Sequence, residues 1–207
     1  MSVPVPDLSR EKSCIESGAV YVAGMDEVGR GALAGPVMVG VVVIDADVVS
    51  RATIPEGLAD SKLISEKRRN ALCEPITKWC VASAVGAASA KEIDKHGIMT
   101  ALQLAGNRAL EMLSVTPDVV ILDGPHNWLL PRVTRVIAEA KADQRCASVA
   151  AASILAKVTR DQLMVEMHEQ FPQYGWASNK GYGAKTHKEA IAQSGASEMH
   201  RKSWNLS

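Results

Sequence analysis

The sequence predicts an α/β or α+β domain built on a mixed sheet. Three observations carry this. First, residues 19–25 (AVYVAGM), 37–44 (VMVGVVVI) and 118–123 (DVVILD) are short apolar runs, two of them rich in β-branched residues, of strand length. Second, helical patterns over residues 90–113 and 146–169 are interleaved with further strand candidates. Third, the first two strands are joined by a glycine loop with no helix between them.

Taken in order, residues 1–18 are polar and proline-containing and read as a loose, flexible arm. The strands at 19–25 and 37–44 follow, and residues 45–62 read as loop, with Pro55, Gly57 and the triplet Asp60-Ser61-Lys62. Ser65 can cap a helix reaching about Lys78, which Pro75 is expected to kink or interrupt. Residues 79–88 read as a strand, and 90–113 as a helix broken near Gly97. After the strand at 118–123, residues 132–140 read as another strand. The helix at 146–169 is apolar on nearly all sides in its first half (ASVAAASILAKV), which predicts burial. A short helix near 185–193 closes the pattern, giving an arm at 1–18 and one domain over 19–207 with a helical C-terminal segment.

Composition excludes several classes. The 207 residues are 47% hydrophobic and 22% charged, with 23 basic and 23 acidic side chains, as in an ordinary soluble globular protein. Four cysteines without a C-x-x-C pair give neither a zinc site nor a disulfide framework, so a reducing cytoplasm is expected. No apolar stretch is long enough to span a bilayer, and no signal peptide is expected, because the first residues (MSVPVPDLSREKSC) lack its apolar core. Residues 171–207 carry five basic side chains against two acidic ones, a distribution that suits an ordinary surface and also a polyanion-binding edge.

The glycine loop, residues 24–36 (GMDEVGRGALAGP), invites a nucleotide-binding reading. Its spacing Gly29-x-Gly31-x-x-x-Gly35 is one residue too long for a dinucleotide fingerprint. Pro36 and a valine run follow where a helix would have to begin. Asp26 and Glu27 stand just before it, Asp123 ends a strand, and Asp143 lies between a strand and the long helix. Strand ends and their loops are where ligands bind in open sheets. Converging carboxylates repel unless a cation offsets the repulsion, and oxygen-only donors suit Mg²⁺ or Mn²⁺. Three of the acids also have a plainer reading: Asp143 as a helix cap, Asp123 as a turn residue, Glu27 as a solvent-exposed side chain.

Six segments, in this order, closely resemble the signature of type 2 ribonuclease H (ribonuclease HII). They are Asp26-Glu27-Val28-Gly29-Arg30-Gly31 continuing through Ala34-Gly35-Pro36-Val37, Asp60-Ser61-Lys62, LDG at 122–124, KAD at 141–143, AAASILAKVTRD at 150–161 and KGYGAKTH at 180–187. The resemblance implies a ribonuclease H-like fold, a mixed central β-sheet flanked by α-helices. It implies an endonuclease acting on RNA–DNA hybrids and on ribonucleotide-containing duplex DNA. There it would cut 5′ of a single ribonucleotide, using two divalent ions and in-line attack of water to leave 5′-phosphate and 3′-hydroxyl ends. Asp26, Glu27, Asp123 and Asp143 would be the catalytic acids and metal ligands, with Asp26 bridging. Gly29, Arg30 and Gly31 would surround the ribose 2′-hydroxyl and its phosphate, and Tyr182 would pack against the following sugar. Lys62 and Lys180 would contact phosphates, although a merely solvated lysine fits each equally well. Asp161, four residues after Lys157, has the spacing of a local ion pair. The sequence departs from the pattern at Ala32, Asn179 and Ala184, where proline, histidine and threonine are usual. A monomer is expected, with no membrane association.

Overall fold

The computed structural model describes residues 5–129 and 135–207. The chain runs through α1 (Ser9–Glu16), β1 (Val22–Val28), β2 (Val37–Ile44), α2 (Ala46–Ser50) and α3 (Glu66–Trp79). It continues through β3 (Ala82–Ala88), α4 (Ala90–His96), α5 (Ile98–Glu111), β4 (Val119–Asp123) and β5 (Val136–Glu139). Last come α6 (Ala147–Gln170), α7 (Trp176–Asn179) and α8 (Lys185–Ser194). Five strands form one mixed sheet in the order β3-β2-β1-β4-β5. β1, β2 and β3 pair antiparallel, while β4 and β5 continue parallel to β1.

Both faces of this sheet are covered, which is why its strands read as unbroken apolar runs. Val22, Val42, Ile44 and Ile121 pack with Val149, Ala150 and Ile154 of α6. Ala23, Met25, Val39, Val41, Val120 and Leu122, on the opposite face, pack with Ala101, Leu102 and Ala105 of α5. The helices lie close because the contact residues are small. A Cβ at Gly24 would strike the backbone of Ser148, and one at Gly40 the carbonyl of Ala152. The alanine run of α6 is therefore a packing surface, not a weak core.

Local chemistry explains most boundaries. Ser65 caps α3 by accepting from the Arg68 N–H (3.4 Å), and Ser89 and Glu92 form a reciprocal capping box on α4. Pro75 lies inside α3 without ending it. Pro75 and Ala71 are both exposed, so the carbonyl that proline leaves unbonded faces water. Gly97, at φ +78°, separates α4 from α5 as expected. The reading of residues 45–62 as loop needs two changes, since Asp45 caps α2 by accepting from the Val48 N–H (2.9 Å) and Asp60 caps a 3₁₀ turn over Ser61–Leu63. Trp79 ends α3 instead of opening β3. Of the strand expected over 132–140, residues 132–134 lie outside the described residues, and β5 occupies the rest except its edges.

The N-terminal segment differs most from the expectation of a loose arm. Residues 9–16 form α1, whose Glu11 is fully buried. Its Oε1 accepts from the Ser148 N–H (2.8 Å) and Oγ (2.7 Å), capping the start of α6. Asp7 pairs with Cys146, its N–H donating to the Arg145 carbonyl and its own carbonyl accepting from Ala147. Among the described residues, no helix is long and apolar enough to cross a membrane.

Candidate active site

Parallel pairing of β1 with β4 sets Met25 beside Leu122, so Asp26 and Asp123, the next residues, emerge side by side. Asp123 Oδ1 accepts from the N–H of Ala142 (2.7 Å) and, more weakly, of Asp143 (3.5 Å). It thereby fastens the 3₁₀ turn Ala142–Gln144, which Lys141 enters in the left-handed conformation (φ 60°). Asp143 is carried on that turn and is nearly buried. Asp26 is buried too, and accepts from the Glu27 N–H (2.8 Å). Both acids lie within β1, because pairing with β2 continues to Val28 opposite Met38.

The side chains are strongly coupled. Burial first, then the charges of Glu27 and Asp123, pushes Asp26 well above the usual carboxylate range, and Asp143 adds to this. Burial also raises Glu27, with Arg30 opposing and Asp123 reinforcing. Asp143 is pushed up to about 6 by burial, then by Asp123 and Asp60. Lys62 answers all of them. Burial works against its charge, but Asp26, Asp60, Asp143 and Asp123 together raise its pKa, and its Nζ stands 3.5 Å from Asp143 Oδ2. Among the described residues, no three His, Cys, Asp or Glu side chains close into a ready-made ion cage. The acids meet through their fields, and an all-oxygen set whose repulsion a hard cation would offset fits Mg²⁺ or Mn²⁺.

The glycine loop begins where these acids end. Gly29 has φ +82°, and a Cβ there would run into the Arg160 side chain. Gly31 is exposed with open space around it. The Arg30 guanidinium is 3.5 Å from Glu27 Oε1. Half-buried Tyr182 lies under Arg160 (5.3 Å from ring centroid to guanidinium) and near Lys157 (5.9 Å). Its carbonyl meets His187 Nδ1 at 2.8 Å. Trp176 Nε1–H donates to His187 Nε2 (3.0 Å), which makes Nδ1 the protonated nitrogen and the donor to Tyr182. Lys180 stands apart from the acids, its ammonium on the Ala177 carbonyl (2.6 Å). Asn179 bonds the Tyr174 carbonyl and the Gly181 N–H, so it holds the Tyr182 loop. Asp161 pairs with Lys157 (2.8 Å), as its spacing suggested.

Three residues escaped sequence reasoning. Asp60 accepts from the Lys62 N–H (2.9 Å) and from Gln144 Nε2 (3.3 Å), tying the lysine to the Asp143 turn. The Asp60-Ser61-Lys62 triplet was its only trace. Arg160 and Arg201 are fully buried beneath the glycine loop and bonded to its carbonyls. The segment 150–161 was the only trace of Arg160, and nothing local distinguishes Arg201 from a surface arginine.

Comparison with known proteins agrees with this architecture. The family model described as ribonuclease HII matches residues 23–207. The chain is 48% identical over 189 residues to ribonuclease HII of Streptomyces avermitilis, covering 91% of this chain and 78% of the relative. It is 46% identical over 201 residues to ribonuclease HII of Ruegeria sp., covering 96% and 84%. Among solved structures it is similar to ribonuclease H2 from Pyrococcus horikoshii, with a TM-score of 0.74 and 30% identity, covering 90% of this chain and 95% of that one. It is also similar to the ribonuclease HII of a PCNA complex from Archaeoglobus fulgidus, with a TM-score of 0.71 and 30% identity, covering 91% and 96%. With the mixed sheet, its two helical faces and the acids at its strand ends, these matches make the chain a member of the ribonuclease HII family, divalent-metal-dependent endoribonucleases that cleave the RNA of RNA–DNA hybrids.

Proposed function

We propose that this endoribonuclease also cuts on the 5′ side of a single ribonucleotide embedded in duplex DNA, through two divalent ions held by Asp26, Glu27, Asp123 and Asp143. The observation that carries this reading is the adjacency of two different surfaces. Two of the four acids, Asp26 and Glu27, are followed, with only Val28 between, by a loop whose backbone is open at Gly31, and Asp123 stands beside Asp26 on the neighbouring strand. Bound hard ions supply stabilisation of the attacking and leaving oxygens of an in-line phosphoryl displacement. Asp26, buried and coupled to the other acids, suits the bridging position. Asp123 orients the turn that presents Asp143. Gly29, Arg30 and Gly31 face the ribose 2′-hydroxyl, the group that tells RNA from DNA. Tyr182 packs against the following sugar, Lys62 meets the phosphate beside the acids, and Lys180 meets one farther along. The products carry 5′-phosphate and 3′-hydroxyl ends. A monomer working in the reducing cytoplasm is part of this reading, and the four free cysteines are compatible with that compartment.

The test uses three labelled duplexes, all DNA, one ribonucleotide and full hybrid, with and without Mg²⁺ or Mn²⁺. Cleavage of the second and third only, requiring metal and lost in Asp26→Asn, is expected. Equal cutting of all-DNA duplex would remove the ribose reading, and undiminished turnover in Asp26→Asn would remove the carboxylate assignment. Tight hybrid binding with no cleavage in any divalent ion would make the chain a silent binding module.

A further inference from the structure

We infer that Arg201 is a positioning residue for ribose recognition, holding two peptide planes of the glycine loop so that the Arg30 and Gly31 N–H groups face outward. This rests on the proposed role of that loop and goes beyond it to a residue 170 positions away in sequence from Gly31. Arg201 is fully buried, and Asp94, the acid whose charge bears on it, is bonded to the next two residues. The Arg201 guanidinium donates to main-chain carbonyls. Nη2 bonds Gly29 O (2.6 Å) and Gly35 O (3.2 Å), Nη1 bonds Arg30 O (2.9 Å), and Nε bonds Gly35 O (3.2 Å). Arg160 does the same for Pro36 (2.9 Å) and Ala34 (3.1 Å), and reaches Lys180 O (2.9 Å).

The geometry of the peptide bond converts this into function. No described peptide is cis, and in a trans peptide the C=O of one residue and the N–H of the next point in opposite directions. With the Gly29 and Arg30 carbonyls turned onto Arg201, the N–H groups of Arg30 and Gly31 point away from it, toward the exposed side. The amides that follow are all engaged internally. Ala32 donates to Gly29 O, Leu33 and Ala34 to Gly181 O, and Gly35 to Met199 O. Among the described residues, the Arg30 and Gly31 amides have no acceptor. Two successive outward N–H groups make a small concavity for an oxygen acceptor, a hydroxyl or a phosphate oxygen. Five loop carbonyls converging on two cations also explain how buried guanidiniums are tolerated inside the fold.

Arg201 is itself held by further contacts, one to the loop and others from outside it. Its N–H donates to Leu33 O (2.9 Å), and Trp204 lies against its guanidinium at 4.8 Å. The next two residues are tied to α4, where Asp94 accepts from the Lys202 N–H (2.9 Å), the Ser203 N–H (3.0 Å) and the Ser203 hydroxyl (2.7 Å).

Arg201→Lys keeps the charge but replaces a planar fork by a single ammonium, which cannot serve three carbonyls in the same geometry. The readout is ribose preference: the KM for a one-ribonucleotide duplex against the Ki of the matched all-DNA duplex as competitor. If the wild-type protein shows no preference, the ribose reading of the loop fails. Where wild type has one, a fall of about tenfold is expected in Arg201→Lys, the worth of one or two misaligned hydrogen bonds. A merely structural role would lower the active fraction, and so apparent kcat, without moving that ratio. Asp94→Ala, at a solvent-accessible site, loosens the segment without removing the guanidinium and keeps the question answerable if Arg201→Lys does not fold. It is expected to lower the ratio roughly two- to threefold. Wild-type preference in folded Arg201→Lys, or in Asp94→Ala if only that variant folds, overturns the assignment.

Discussion

Replacing Asp143 by asparagine should make the metal-free protein more stable while destroying its catalysis. Asp143 titrates near 6, against an ordinary 3.8, because it is buried and faces Asp123 and Asp60; the opposing pull of Lys62 is already contained in that value. Between those two pH values the folded protein keeps a proton that the unfolded chain has released. Stability therefore falls as pH rises through this window, and the full penalty persists above it. Two units correspond to about 3 kcal/mol. Asparagine has the same shape and no charge, so the penalty vanishes. For a chain of this size about 3 kcal/mol is roughly 6–12 °C in Tm. Calorimetry in EDTA at pH 8 should show the variant melting that much higher, with the gap closing near pH 4. Added Mg²⁺ should raise the wild-type Tm more than the variant's, and hybrid cleavage should collapse. A variant that melts at or below wild type at pH 8 without metal would refute the claim that these acids strain the empty site.

Other outcomes follow from single contacts. The N-cap of α8 is Ala184, which offers no side-chain acceptor, so Ala184→Thr should stabilise by about 1 kcal/mol, seen as a higher urea midpoint at unchanged m. His200, fully buried, accepts from the Ser197 N–H (2.9 Å), and burial followed by the charge of His187 depresses it to about 4. The neutral ring therefore stabilises the fold above pH 6.5, and that contribution is lost as pH falls toward 4, by about 3 kcal/mol. Urea titrations should show the stability gap between wild type and His200→Asn narrowing by that amount over the same range, whatever the acids contribute in common. Tyr182→Ala should slow cutting at a single ribonucleotide while costing only about 1 kcal/mol, the cation–π contacts of a half-buried ring. A sharp drop in Tm instead would make Tyr182 a loop anchor.

What could be read from the sequence was local or periodic. β2 was legible to the residue because both of its faces are buried and its valines leave no polar alternation to misplace an end. β1 was placed three residues early, since two acids look like the end of a strand, and only pairing with Gly40 and Val39 of β2 keeps them inside one. Pro75 looked like a break because sequence does not say which carbonyls face water. The acids themselves stood out, being at strand ends in a spaced motif. Residues acting at a distance did not. Glu11 looked like one more polar residue in an arm, yet its partner Ser148 is 137 positions away. Arg201 counted as part of a basic tail, read either as a polyanion-binding edge or as an ordinary surface, and the fold buries it instead.

The bond between Arg201 and Gly29 spans 172 residues of chain. At translation rates of 5–20 residues per second, roughly 10–35 s separate the synthesis of its two ends. During that interval the emerging polypeptide already contains the first two acids but lacks the cation that shapes the loop beside them. On the proposed role of the loop, discrimination between sugars thus matures only after the ribosome has made the segment around residue 201.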